Sequence, residues 1–181
     1  LISALFGTIS TGVFSIFGYK TAMFSTSLAW YWWMYGLLVY ELFYWIQHWL
    51  AHKVRFFWCQ HSPHHAPEAM NMFVGFNHSF LETIFYIPFF LGFLPAVFGV
   101  HPIIILTIAV VDVTWGNLLH INDSVVSKRY GFLEKLLQTP SYHRVHHAKN
   151  IRYMDTNYNS ITLFWDWMFG TLQDLDPEEK V

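Results

Sequence analysis

The sequence has 181 residues, 54% of them hydrophobic, 20% aromatic and 12% charged, about half the charge of an average soluble domain. A net charge of −2 with no Lys/Arg-rich block excludes a nucleic-acid surface, and the single cysteine, Cys59, excludes an internal disulfide framework and any cysteine-rich zinc site. What remains is a single domain over residues 1–181, suited to lipid as its solvent and read as an excerpt of a longer chain.

The first apolar stretch, Ile2 to Phe17, has neither the basic start nor the small-residue cleavage pattern of a signal peptide and reads as a truncated membrane helix. Three further stretches, Ser25 to Gln47, Ser79 to Val100 and Pro102 to Leu119, approach the length that crosses a bilayer as helix. The expected fold is therefore all-α: an integral-membrane bundle of three to four transmembrane helices. Pro88 and Pro95 interrupt one of these stretches, which membrane helices tolerate better than soluble ones. Polar, histidine-rich segments separate the apolar ones, with a short helical pattern at Phe132 to Gln138.

If the second helix ends near His48, the next two form a hairpin turning at Gly99 to Pro102, and every clustered histidine falls on one face. Lys53, Arg55, Lys128, Arg129, Lys135, Arg144, Lys149, Arg152 and Lys180 fall there too, whereas Lys20 does not. The positive-inside rule makes that face cytoplasmic. Trp30, Trp32, Trp33, Tyr35 and Tyr44 read as interfacial anchors or as the lining of a lipid path.

Nine of the eleven histidines form a pattern: His48 and His52; His61, His64 and His65; His120; and His143, His146 and His147. Residues three or four apart share a helix face, so each group can aim imidazoles at one point. Nine clustered imidazoles exceed the needs of one ion, and two metals are the economical reading. His120 has no partner at helical spacing. His101, in the opposite turn, reads as structural, and His78 as structural or as a contact to a ligand or substrate. Glu41 lies seven residues before His48 in an apolar helix; it either fixes the tautomer of a ligating imidazole or forms an interhelical hydrogen bond. Asp112 either pairs with another helix or lines a cavity, and Asn71, Asn117, Asn122, Asp123 and Asn159 read as structural neighbours.

Glu41 to His52, the runs HSPHHAPEAMN (residues 61–71) and TPSYHRVHHAKN (139–150), and the closing NYNSITLFWDWMFGT (157–171) together resemble the fatty acid hydroxylase/sterol desaturase superfamily. The last two runs look particularly like its alkylglycerol monooxygenase branch. The resemblance implies a membrane bundle with a cytoplasmic helical cap and a di-iron centre where they meet, with zinc able to substitute for the iron. It makes His48, His52, His61, His64, His65, His120, His143, His146 and His147 the metal ligands. It implies an O2-dependent oxidoreductase that hydroxylates or desaturates a lipid such as a sterol, fatty acyl chain or glyceryl ether. Trp49 stands where the family commonly has Arg, Glu41 where it usually has Asp, and the second histidine many relatives carry near His120 is absent.

No dinucleotide-binding glycine fingerprint or haem attachment motif is present, so electrons must come from an external donor, a cytochrome b5-type protein, a reductase or a pterin. The compartment would be the endoplasmic reticulum in a eukaryote and the inner membrane in a bacterium. A zinc-dependent membrane hydrolase is the competing enzyme class, but H-E-x-x-H is missing and many histidines would go unused. A metal transporter or storage protein is the third reading, against which the histidines gather at one end instead of spanning the helices.

Overall fold

The computed structural model describes residues 2–122, 124–125 and 131–176. Asp123, Lys128, Arg129 and Lys180, named above, lie outside them. Seven α-helices occur among the described residues: α1 (Ile2–Tyr19), α2 (Trp30–Lys53), α3 (Arg55–His65), α4 (Leu94–Val97), α5 (Pro102–Leu119), α6 (Pro140–His147) and α7 (Phe164–Phe169). Two π-helical stretches, Glu82–Tyr86 and Phe89–Phe93, run into α4 without a break, so that residues 80–97 form one rod. The only strand-like pairing among the described residues is an isolated bridge between Leu137 and Thr162.

The widening of this rod has a cause in its prolines. Pro88 brings no amide hydrogen for the Ile84 carbonyl four residues earlier, and its ring crowds that carbonyl. The Ser10 hydroxyl of α1 donates to the Ile84 carbonyl instead, at 2.8 Å. Helix α1 meets the rod through a stripe of small residues, Gly7, Thr11, Ser15 and Gly18, spaced to share one face. The contact is close enough that a Cβ on Gly18 would approach the Phe93 carbonyl oxygen to 2.4 Å, and one on Gly92 would approach the Thr11 carbonyl oxygen to 2.5 Å.

Helices α2 and α5 pack with the rod around a core of Tyr40, Leu91, Ala96, Val100, Ile104, Ile105, Ile108 and Ala109. Gly99 turns the chain between the rod and α5 at φ +84°, a conformation that costs a residue with a Cβ and is free to glycine. His101 caps α5, its Nδ1 accepting from the Ile103 amide at 3.2 Å, beside Pro102 at the first helical position. The hairpin expected at Gly99 to Pro102 is present. α2 starts five residues later than expected and runs six residues further, so His48 and His52 sit on its final turns. Extended backbone at Val54 then redirects the chain into α3.

Pro102–Leu119 is long and apolar enough to cross a membrane, while Ala4–Tyr19 and Glu82–Val97 are apolar but shorter. Only a third of α5 is buried, and Ile103, Leu106, Val110 and Val111 are exposed along it, as are Leu5, Phe6, Ile9, Val13, Ile16 and Phe17 on α1. The helical pattern at Phe132 to Gln138 is a 3-10 turn, Gly131–Lys135, because the following residues leave the helix to pair with the C-terminal segment: the Gln138 amide donates to the Ile161 carbonyl at 2.9 Å.

Candidate metal centre

The end of α2, the last turn of α3, the C-terminal cap of α5 and the last turns of α6 converge at one end of the bundle. Their histidines fall into two groups. His48, His52, His61, His65 and His146 form one and His64, His120, His143 and His147 the other, each with one ring nitrogen per residue lying within 4.8 Å of all the others in its group. The groups adjoin: the His65 and His147 rings stack at 4.3 Å between centroids, and His143 stacks on His146 at 5.5 Å. All nine histidines singled out in the sequence are therefore brought together, His120 included.

Four of these rings are oriented from outside by backbone carbonyls. His48 Nδ1 donates to Tyr158 at 2.6 Å, His64 Nδ1 to Val74 at 3.1 Å, His120 Nδ1 to Gly116 at 2.6 Å and His146 Nδ1 to Thr156 at 2.7 Å. A carbonyl can only accept, so Nδ1 carries the proton and, in the neutral ring, Nε2 presents a lone pair inward. His64 Nε2 and His120 Nε2 nevertheless lie 3.2 Å apart, and no hydrogen is available between them. Burial drives the pKa of His64, His65, His143 and His147 well down, that of His120 to about 4 and that of His146 to about 3, so imidazolium does not resolve the contact near neutrality. His52 Nε2, His143 Nδ1 and His146 Nε2 are buried with no hydrogen-bond partner.

A cation answers the His64–His120 contact and the unpartnered Nε2 atoms of His52 and His146, while His143 turns its Nε2 into the group, 2.9 Å from His120 Nε2. Metal–nitrogen bonds of about 2.0–2.1 Å set two ligand nitrogens about 2.9–3.4 Å apart. Converging, neutral, pre-oriented imidazoles are the donor set that borderline transition metals such as iron and zinc take. The residues present fit such an ion in each group.

The loop that orients two of these rings is itself held by carboxylates. Asp166 accepts from the Tyr158 and Asn159 amides, each at 2.8 Å, and from the Thr171 hydroxyl at 2.6 Å. Glu41 accepts from the Ile161 amide at 3.1 Å and from the amide and hydroxyl of Thr162 at 2.7 Å each. Glu41 contacts no imidazole among the described residues; it anchors the 157–162 loop whose Tyr158 carbonyl orients His48. Asp112 joins α5 to both neighbours, accepting from the Tyr40 hydroxyl at 2.9 Å and from the Ser160 hydroxyl. It also lines a cavity. Asn157, held at φ +56°, clamps the loop by donating to the Tyr142 and Gln173 carbonyls.

Glu82 was not visible as a site residue in the sequence. Its fully buried carboxylate accepts from His61 Nδ1 at 2.8 Å and from His78 Nδ1 at 3.0 Å. The signal that could have found it is an acid placed four residues after His78 at the head of an apolar stretch. Tyr44, expected as an anchor or path-lining residue, packs edge-on to His48 at 5.8 Å and lines the cavity. Trp49 stacks on Trp45 at 6.0 Å between ring centroids.

Two cavities reach the centre. One, of about 130 Å³, runs between α1, α2, the rod and α5, bounded by Thr11, Leu91 and Ala109 at one end and by His48, His61, His64 and His120 at the other. The second, about 610 Å³ and more open, approaches from the opposite side past His52, His65, His146, His147, Trp58 and Lys149.

Residues 33–171 match the family described as fatty acid hydroxylase. Alkylglycerol monooxygenase of Danio rerio is 38% identical over 150 residues, which cover 79% of this chain and 30% of the relative. Alkylglycerol monooxygenase of Xenopus tropicalis is 35% identical over 84% of the chain and 32% of its own length. Ornithine lipid hydroxylase of Rhizobium tropici is 34% identical over 52% of the chain and 28% of its own length. The chain thus spans about a third of the length of these curated relatives. No solved structure matches it.

Proposed function

The chain belongs to the fatty acid hydroxylase family, and on that footing we propose that it is the metal-binding domain of an O2-dependent membrane monooxygenase that hydroxylates or desaturates a lipid C–H bond. The observation that carries the reading is the pair of adjoining imidazole groups with their inward lone pairs at the end of an apolar cavity. In this reading the five-histidine and four-histidine groups each hold one iron, and zinc can occupy the same sites. Iron held there would supply activation of O2 and removal of hydrogen from an unactivated carbon.

The protein's own part is orientation, dryness and access. The carbonyls of Tyr158, Val74, Gly116 and Thr156 keep the Nδ1 protons outward, so four donors need no rearrangement when metal binds. Tyr40, Tyr44, Leu91 and Ala109 wall the narrow cavity and keep bulk water from the inner face. A lipid chain reaches that cavity from the bilayer: the exposed apolar faces of α1 and α5 are too extensive for a surface facing water. This supports three to four spans, formed by α1, α2, the rod and α5, with the histidines at the cytoplasmic end beside Lys53, Arg55, Arg144, Lys149 and Arg152. The electron donor, a cytochrome, a reductase or a pterin, would approach through the wider cavity on the opposite side.

The test is to supply iron-loaded protein in lipid nanodiscs with a reductant and isotopically labelled O2 and to analyse the lipids by mass spectrometry. Labelled oxygen in a lipid alcohol, or formation of a lipid alkene, is expected. Ala109→Phe, which fills the narrow cavity, should suppress either product with metal content unchanged. Loss of neither product nor metal in that variant would remove the cavity from the account.

A further inference from the structure

We propose that Glu82 is a positioning residue for both halves of the histidine centre, acting on one half through His61 and on the other through His78. The inference rests on the two-metal reading and goes beyond it by assigning the two sites unequal surroundings.

Glu82 is the only buried carboxylate among the described residues that hydrogen-bonds a ring of the two groups. Its Oε1 accepts from Nδ1 of His61, whose Nε2 lies 3.1 Å from Nε2 of His48 in the five-histidine group. With an ionised carboxylate at Nδ1, His61 carries its proton outward and its lone pair inward, so this pair repeats the arrangement of His64 and His120. Oε2 accepts from Nδ1 of His78, whose ring lies parallel to that of His64 at 4.5 Å and 14°. His78 has no place in either group of nine, and its ring forms the wall on which His64 rests.

The placement of Glu82 is fixed from two directions. Its amide donates to the Ser79 hydroxyl oxygen at 3.1 Å, and that hydroxyl donates to Gln60 Oε1 at 2.6 Å, tying the head of the rod to the residue before His61. The carboxylate also begins the first π-helical stretch, and such widened turns occur often at functional sites.

The consequences differ for the two groups. A carboxylate on the outer nitrogen raises the basicity of the imidazole and fixes its tautomer more strongly than a carbonyl does. His61 has this partner, and the rings of the four-histidine group that are oriented from outside, His64 and His120, have carbonyls. Glu82 therefore strengthens one site electronically, while on the other it acts through ring packing alone.

The experiment titrates cobalt(II) into metal-free protein in detergent and follows visible absorption, with chelator competition giving an affinity for each site. Wild type should bind two ions with distinguishable spectra. Glu82→Gln, which keeps the shape and removes the charge, should weaken one ion by about 10–100-fold and shift its spectrum, leaving the other within a factor of about two. Glu82→Asp should recover part of that loss. His78→Ala should alter only the spectrum of the other ion. Thermal unfolding of the metal-free proteins serves as the structural control. The proposal is overturned if Glu82→Gln leaves both affinities and spectra unchanged, or weakens both equally in step with a fall in metal-free stability. Failure of wild type to bind any ion would instead overturn the two-metal reading on which the proposal rests.

Discussion

His64 and His120 face each other through Nε2 at 3.2 Å while each donates its Nδ1 proton to a backbone carbonyl, Val74 for one and Gly116 for the other. Two lone pairs at that distance repel unless a cation lies between them. The rings are held there by elements far apart in sequence, the end of α3 and the cap of α5. The fold therefore builds the donor geometry of a metal site into the neutral protein, and the account of function follows from that geometry.

The two groups should lose metal separately. His143→Ala removes a donor from the four-histidine group and His146→Ala one from the five-histidine group. Each variant should retain about one of the two ions, with the retained ion showing different spectra in the two proteins. Elemental analysis with cobalt(II) absorption checks this, and loss of both ions from either variant would show a single coupled site.

Glu41→Ala should destabilise the protein through the loop it anchors. Four donors, the Ile161 amide, the amide and hydroxyl of Thr162 and the Asn159 side-chain amide, lose their acceptor in a partly buried setting, at up to about 1–3 kcal/mol for each one left stranded. Glu41→Gln keeps a carbonyl oxygen and should lose less. Thermal unfolding in detergent is the measurement, and an unchanged midpoint for Glu41→Ala would refute the anchoring role.

Acid should act on the metal-free protein through the buried rings. The folded pKa of His146, about 3, lies below the value near 6.5 of the unfolded chain. Below pH 6.5 the unfolded state binds the proton and the folded state does not, so stability falls by up to about 1.4 kcal/mol per pH unit for this group until pH nears 3. Above pH 7.5 both states are neutral and the contribution is flat. Comparing wild type with His146→Gln cancels the other titrating groups: the difference in unfolding free energy should change steadily between pH 6.5 and 5. A difference independent of pH there would show that the ring is not held neutral.

Gly18→Ala should loosen α1. A Cβ at that position meets the Phe93 carbonyl oxygen, a backbone atom that cannot swing aside, and overpacking of this kind costs about 1–3 kcal/mol. The effect should appear as a lower unfolding midpoint with metal content preserved, since Gly18 packs on Phe93 and Ala96, at the end of the rod away from Glu82 and the nine clustered histidines. Unchanged stability would contradict the close approach of α1 and the rod.

Much of the centre could be read from the sequence because its donors obey helical spacing. His61, His64 and His65 share the last turn of α3, and His143, His146 and His147 the end of α6, so their convergence is a local property of the chain. The carbonyls that orient them leave no trace in the sequence, since every residue has one and only the fold selects Tyr158, Val74, Gly116 and Thr156. Glu82 was hidden by its setting, where one acid at the head of an apolar stretch reads as the edge of a span. The π-helical widening near Pro88 was likewise signalled only by the proline, because its hydrogen-bond compensation comes from Ser10 on another helix. Asp166 escaped notice since its partners, Tyr158 and Asn159, reveal themselves only when the C-terminal loop is folded back.

The central claim is that two metal ions, and in the active protein two irons, sit in these imidazole groups. Iron per chain in protein purified without oxygen from iron-57-grown cells, read with Mössbauer spectra, tests it most directly. The account predicts about two irons per chain in two nitrogen-rich sites, falling to about one in His143→Ala. A single zinc per chain, or iron content unaffected by that substitution, would contradict it.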